Sequence, residues 1–351
     1  MPTPPLLQTL LTTPGPSGYE GDAAAAWREA ASGFAQVSAD DLGSSVARVR
    51  GTGDGPLLAI VGHIDEIGVH VSHVDDDGFL RFGSVGGWDP IILVGQRVTV
   101  LTRGGRIPGV IGKKPIHLMK DEDRKRVPEL KDLHIDVGAK DGDDARAMVR
   151  VGDVAVIAGE PVELPNDRIA SRALDNRIGC FVALEAARLV AEAGGAAGDV
   201  AAVAAVQEEI TFAGSRTTAF SLAPDLAVAV DVTFATDQPG VELGELTKHP
   251  LGSGPSLTRG STIHPRVFEL LHETAEAEGI PFTVAGAGRA TGTDADAIHL
   301  TRAGIPTALV SVPLRYMHSP VELCQLDDVA NTAQLIAAFA LRLRADTSFV
   351  R

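Results

Sequence analysis

The residues Pro56-Leu57-Leu58-Ala59-Ile60-Val61-Gly62 form an unbroken apolar run, the pattern of a strand buried on both faces. Similar runs recur at 200–206, 226–230 and 307–312. Between and after them the spacing predicts helices over 176–193, 213–222, 265–278, 294–302 and 326–343, with a short strand at 282–284. Pro265 opens its helix, a position where its missing N–H costs nothing. Ahead of the first run, helices are predicted over 6–12 and 22–34, parted by the turn cluster Pro14-Gly15-Pro16-Ser17-Gly18. Buried strands alternating with helices predict an α/β fold, a mostly parallel sheet with helices on both faces.

From Gly68 the pattern changes. Val69, Val71 and Val74 lead to the turn Asp75-Asp76-Asp77-Gly78 and then Phe79-Leu80-Arg81-Phe82, which predicts a hairpin. Further short strands are predicted at 97–101, 106–111, 133–137 and 154–157, with a Gly104-Gly105 turn between the first two. Such runs predict a small β-rich barrel. Residues 113–131 mix basic with acidic side chains, as a solvated or interface loop does. The expected organisation is one α/β domain in two pieces, 1–67 and 164–351, with a β-rich domain, 68–163, inserted between them.

Composition narrows the function. With 44% hydrophobic residues in 351, the chain has ample material for a core and is not a disordered segment. Its 31 basic and 46 acidic residues give a formal net charge of −15, which argues against nucleic acid or an anionic membrane as a partner. Cys180 and Cys324 cannot form a disulfide framework, so a reducing compartment is expected. The first residues lack the pattern of a signal peptide, and no apolar run approaches the ~20 residues of a membrane span, so a cytoplasmic location is expected.

The chemistry gathers where the apolar runs end. One run ends in His63-Ile64-Asp65, another in Gln207-Glu208-Glu209, a third at Asp231, and 307–312 is followed by His318. Ligands bind outside the carboxyl ends of the strands in open α/β sheets, which gives these residues a reason to converge. Asp175, opening a helix, faces the same way. Imidazole with carboxylate is a donor set for zinc or a similar divalent ion. Five ligands exceed one tetrahedral catalytic zinc but suit two ions about 3.5–4 Å apart sharing a carboxylate. On a strand His63 and Asp65 would share a face, letting Asp65 orient the imidazole. Glu208 and Glu209 diverge, so one can bind metal while the other serves as general base. Singly, these residues fit bland roles, a surface pair or a helix cap; their joint placement carries the di-metal reading.

The stretches Gly15-Pro16-Ser17-Gly18-Tyr19-Glu20, Gly62-His63-Ile64-Asp65-Glu66-Ile67-Gly68, Lys114-Pro115-Ile116-His117, Ala173-Leu174-Asp175-Asn176-Arg177-Ile178-Gly179-Cys180, Val206-Gln207-Glu208-Glu209 and Arg315-Tyr316-Met317-His318-Ser319-Pro320 fall in order over almost the whole chain. In them the sequence resembles the tetrahedral, glutamyl-aminopeptidase-like family of di-metal aminopeptidases. Some relatives in that family carry endoglucanase or cellulase labels, although a glycosidase relies on paired carboxylic acids rather than a metal cluster. The resemblance implies that His63 and Asp231 bind one metal, Glu209 and His318 the other, and that Asp175 bridges them. It implies Glu208 as general base and Asp65 as the partner of His63. It further implies two divalent ions per subunit (zinc first, cobalt or manganese as alternatives) and short peptides with a free N-terminus as substrates. The insertion would be a dimerisation domain, with dimers assembling into twelve-subunit tetrahedral particles.

Asp65 and Asp175 stand about 110 positions apart, room for a small domain. Aminoacylase-like and carboxypeptidase-like enzymes with the same ligands insert their extra domain later in the chain. Ile210-Thr211-Phe212-Ala213-Gly214, together with Thr291 and Asp296, departs from the family's usual pattern near the expected substrate pocket. Two other readings stay open: a di-metal deacylase acting on N-acyl amino acids, and a scaffold of this fold without activity.

Overall fold

The structure is a computed structural model and describes residues 2–350 except 243, 245 and 246. Its centre is an eight-stranded sheet in the order Gln36–Ala39, Ser45–Val49, Val200–Ala205, Leu58–His63, Leu226–Phe234, Thr307–Leu314, Ser256–Gly260, Thr283–Ala287. The four middle strands, 200–205 through 307–314, run parallel. These are the apolar runs of the sequence, and every residue of the first two is buried. The outer strands Ser45–Val49 and Ser256–Gly260 join the parallel group antiparallel. Neither outer strand, nor Gln36–Ala39, is anticipated by the sequence pattern. None of the three carries the continuous apolar run that marks a strand covered on both faces.

Helices Leu174–Glu192 and Leu326–Arg342 pack on each other, and the first also lies against strands 58–63, 200–205 and 226–234. The predicted helices 213–222 and 265–278 appear with those bounds. The predicted helix 294–302 shrinks to Ala295–Ile298. Residues 113–131 hold short helical turns at Ile116–Leu118, Asp121–Lys125 and Leu130–Asp132 rather than a plain loop.

Strands Gly68–Val74, Leu80–Val85, Leu133–Asp136, Gly105–Lys113, Arg97–Thr102 and Val154–Ile157 close into a barrel in that order. Its interior, with Val69, Val71, Leu80, Phe82, Val98, Val100, Ile111 and Ile135, is a hydrophobic cluster separate from that of the large sheet. A small third sheet, Val162–Leu164, Arg168–Ser171 and Glu322–Gln325, follows the barrel and leads the chain back towards Asp175.

The helix bearing Asp175 approaches the sheet at backbone contact. A Cβ on Gly62 would overlap the Gly179 carbonyl carbon and stand 2.6 Å from the Cys180 amide nitrogen. Cys180 Sγ reaches the Gly62 carbonyl at 3.3 Å, and Trp27 Nε1 donates to the Cys180 carbonyl at 2.9 Å. Both partners at the crossing are backbone, so little can yield. Gly62→Ala is therefore expected to destabilise the fold by about 1–3 kcal/mol, the usual cost of overpacking. Gly33→Ala, where a Cβ meets open space, serves as control. Urea unfolding of the two variants checks this; equal midpoints would refute the crossing as a constraint.

Candidate metal centre

Strand 58–63 ends at His63, so Asp65 lies beyond the strand rather than on its face. The turn still brings the two together, with His63 Nδ1 3.4 Å from Asp65 Oδ1. Glu208 and Glu209 open the short helical turn Glu208–Thr211, just past strand 200–205. Asp231 sits inside strand 226–234, beside Ser311 of the neighbouring strand. His318 follows strand 307–314 on a loop where both Tyr316 and His318 adopt left-handed backbone, at φ 60° and 58°. Asp175 and Asn176 lie at the head of helix 174–192 with non-helical dihedrals, joined by a cis peptide bond, and Ala173 before them is left-handed at φ 59°. Non-glycine residues persist in that region only when their surroundings hold them there.

The seven residues singled out in the sequence meet in one place. Asp175 turns Oδ1 towards His63 Nε2 at 3.2 Å and Oδ2 towards His318 Nε2 at 3.5 Å. Glu209 Oε2 lies 3.3 Å from His318 Nε2, and Glu208 Oε2 lies 3.6 Å from His63 Nε2. Possible ligand atoms of His63, Asp175 and Glu209 fall within 4.8 Å of one another, and so do those of His63, Glu208 and Asp231.

The electrostatics are those of an anionic pocket short of cations. Burial pushes the Glu208 carboxyl far up, with Asp231, Asp294 and Glu209 adding to the rise against the pull of His63. Burial likewise raises Glu209 and Asp231. His318, bonded to Asp175 and Glu209, is pushed up to about 11. Burial alone would lower His63, but Glu208, Asp175 and Asp65 carry it well above its ordinary value. Burial would raise Asp175 too, yet the His318 and His63 imidazoles hold it well below the usual carboxylate range. Carboxylates outnumber the imidazoles that face them, and burial with mutual repulsion disfavours charge on several of them. Nitrogen and oxygen donors converging on such a pocket fit divalent ions.

Two buried carboxylates brace this cluster from outside. Asp65 Oδ1 accepts from the Glu208 amide at 3.0 Å; Oδ2 accepts from the Glu209 amide at 3.2 Å and from Ser17 Oγ at 2.6 Å. Glu322 accepts from the amides of Asp175 and His318. Glu322 and Asp294, the latter raised by burial to about 6, were not singled out from the sequence. Asp294 begins the predicted helix 294–302 and Glu322 opens a short strand, and neither has a ligand spacing that marks it. The barrel reaches the cluster as well: a Cβ on Gly87 would stand 3.3 Å from His318 Nδ1, and one on Gly86 3.4 Å from Glu209 Cβ. His117, on an exposed turn of the barrel, is not part of the described cluster.

A sequence profile described as M42 glutamyl aminopeptidase matches residues 43–335. The chain belongs to that family. It is 35% identical over 346 residues to a lysyl aminopeptidase of Pyrococcus furiosus, covering 97% of each chain. Among solved structures it is similar to a TET aminopeptidase from a marine-sediment Thaumarchaeota archaeon, with a TM-score of 0.91, 35% identity and coverage of 96% and 95%. It is also similar to the TET1 peptidase of Pyrococcus horikoshii, described as assembling into a tetrahedron or a large octahedral shell (TM-score 0.84, 32% identity, coverage 96% and 99%). As a member of the M42 family this chain is a hydrolase of the aminopeptidase class that depends on divalent metal.

Asp65 joins three donors to two oxygens, a task an amide side chain cannot perform. Asp65→Asn is expected to leave a buried donor unmet and lower stability by about 1–3 kcal/mol. Ser17→Ala, which leaves Asp65 both backbone donors, is expected to cost less. Urea unfolding of metal-free protein compares them; the reverse ranking would count against Asp65 as the hub.

Proposed function

We propose that this chain removes N-terminal residues from short peptides at a centre of two divalent ions, with Glu208 as the general base. The observation that carries this reading is the divided aim of Asp175, one oxygen towards His63 and the other towards His318. That is the posture of a carboxylate shared between two ions. In this reading His63 and Asp231 hold one ion, Glu209 and His318 the other, and Asp65 orients His63. Zinc suits the donor set, with cobalt and manganese as alternatives. Two such ions supply Lewis acidity for the scissile carbonyl and for an attacking water.

The remaining steps belong to the chain's own groups. Glu208 takes a proton from the attacking water and returns one to the leaving amine. Its buried, anion-crowded surroundings favour accepting that proton. Membership of an aminopeptidase family favours peptides with a free N-terminus over N-acyl amino acids. This makes the deacylase reading second.

Residues 1–67 and 164–351 form the catalytic domain in this proposal. The inserted residues 68–163 serve self-association into dimers and higher particles, as befits a relative that assembles into a tetrahedron. A cytoplasmic setting is in keeping with two buried free cysteines; among the described residues no helix is long and apolar enough to cross a membrane.

Glu208→Gln is expected to keep both ions, by elemental analysis, while turnover of aminoacyl-anilides falls about 10²–10⁴-fold. Unchanged turnover, or loss of an ion, would remove Glu208 from this role. Chelation is expected to abolish activity and zinc, cobalt or manganese to restore it. A preference for N-acyl amino acids over aminoacyl-anilides in the reloaded enzyme would favour the deacylase.

A further inference from the structure

Glu322 is 2% exposed and lies on the short strand Glu322–Gln325, between the two chain segments that lead into metal-ligand loops. On one side it pairs with Ser171, at the end of strand Arg168–Ser171, just before Ala173 and Asp175. On the other side Leu323 exchanges backbone hydrogen bonds of 2.9 and 3.0 Å with Arg315, just before Tyr316 and His318. Its carboxylate spans the two loops: Oε2 accepts from the Asp175 amide at 3.0 Å and Oε1 from the His318 amide at 2.9 Å. Both loops contain left-handed non-glycine residues, Ala173 in one, Tyr316 and His318 in the other. Such backbone needs holding from outside.

We propose that Glu322 is a positioning residue that sets the separation of Asp175 and His318 and so tunes the ion held by Glu209 and His318. The proposal rests on the di-metal reading above. The hydrogen bonds of Glu322 go to the backbone of Asp175 and His318 rather than to their ligand atoms. Glu322 acts on the amides of the residues that carry them, one oxygen to each. Asp65 does the same across the pocket, binding the amides of Glu208 and Glu209 while facing His63. Thus each half of the cluster has one buried carboxylate that ties two ligand-bearing segments to each other. Only a side chain with two equivalent acceptors can do this. Glutamine offers one acceptor and turns an N–H towards the other amide. Aspartate keeps both acceptors but loses one methylene of reach.

The test is stepwise reloading of metal-free protein with cobalt, followed by visible absorption and chelator competition, on wild type, Glu322→Gln and Glu322→Asp. The two binding steps are assigned with Asp231→Asn and Glu209→Gln. Support would be a 10–100-fold weaker affinity for the ion assigned to Glu209 and His318 in Glu322→Gln, with an altered cobalt spectrum and a much smaller change for the other ion. Glu322→Asp is expected to fall between Glu322→Gln and wild type. Thermal unfolding of the metal-free forms identifies a fold that has failed. The proposal is overturned if both ions bind Glu322→Gln as they bind wild type, or if both weaken equally in step with lost stability, the mark of a merely structural role. Wild type that takes up only one ion would instead overturn the di-metal reading itself, and this proposal with it.

Discussion

Everything around this site answers to one constraint: Asp175, Glu208, Glu209 and Asp231 are gathered at close range and largely out of water. Two like charges 4 Å apart repel by about 4 kcal/mol at an effective dielectric of 20, and burial adds the loss of hydration. Such a cluster can persist only if positive charge or hydrogen-bond donors are built in. Among the described residues, the cationic side chains recorded as pairing with it are the imidazoles of His63 and His318. Arginine is close at hand but engaged elsewhere. Arg172 and Arg177 pair with Glu66, and Arg177 also donates to the Leu10 and Thr13 carbonyls, fastening the N-terminal segment instead of filling the pocket. A guanidinium inside would neutralise the carboxylates and occupy the space. Compact divalent ions neutralise them and leave room for a substrate.

The parallel sheet is what makes such a gathering possible. Neighbouring strands lie about 4.8 Å apart, so residues at their carboxyl ends start within side-chain reach of one another. Strands 200–205, 58–63, 226–234 and 307–314 are consecutive in the sheet, and each delivers part of the cluster, Asp231 from within its strand and the others at or after their strand's end. Asp175 comes from above, on the helix whose close approach depends on Gly62 and Gly179. The packing of one backbone pair and the placement of the Asp175 carboxylate are thus the same problem at two points of one helix.

The chain's hydrophobic pattern reveals the parts of this fold that are buried on both sides. The four central strands and the long helices are legible because burial demands continuous or periodic apolar residues. Strands 36–39, 45–49 and 168–171 escape notice because short or partly exposed strands need no such pattern. The candidate ligand residues are legible for a related reason: histidines and carboxylates directly after apolar runs stand out against their surroundings. Glu322 does not, because its role depends on two amides, one 147 residues away and the other only 4. Nothing in local sequence marks a backbone partner that lies so far along the chain. The left-handed backbone at Ala173, Tyr316 and His318 is likewise not legible, since no glycine or turn motif marks those positions.

The barrel's place in the sequence has a structural consequence. It leaves the large sheet immediately after the segment holding His63, Asp65 and Glu66, and the chain re-enters through Arg168–Ser171, directly ahead of Asp175. Its loop at Gly86 and Gly87 returns to lie against Glu209 and His318. Four separate parts of the cluster, the His63–Asp65 segment, Asp175, Glu209 and His318, therefore lie next to the barrel or the segments joining it. An insertion in a distant surface loop would leave the site indifferent to it. Here the barrel walls one side of the pocket, and close packing lets neither side of that contact move alone. The two glycines are suited to the contact, because a side chain at either would press on the residues beside it.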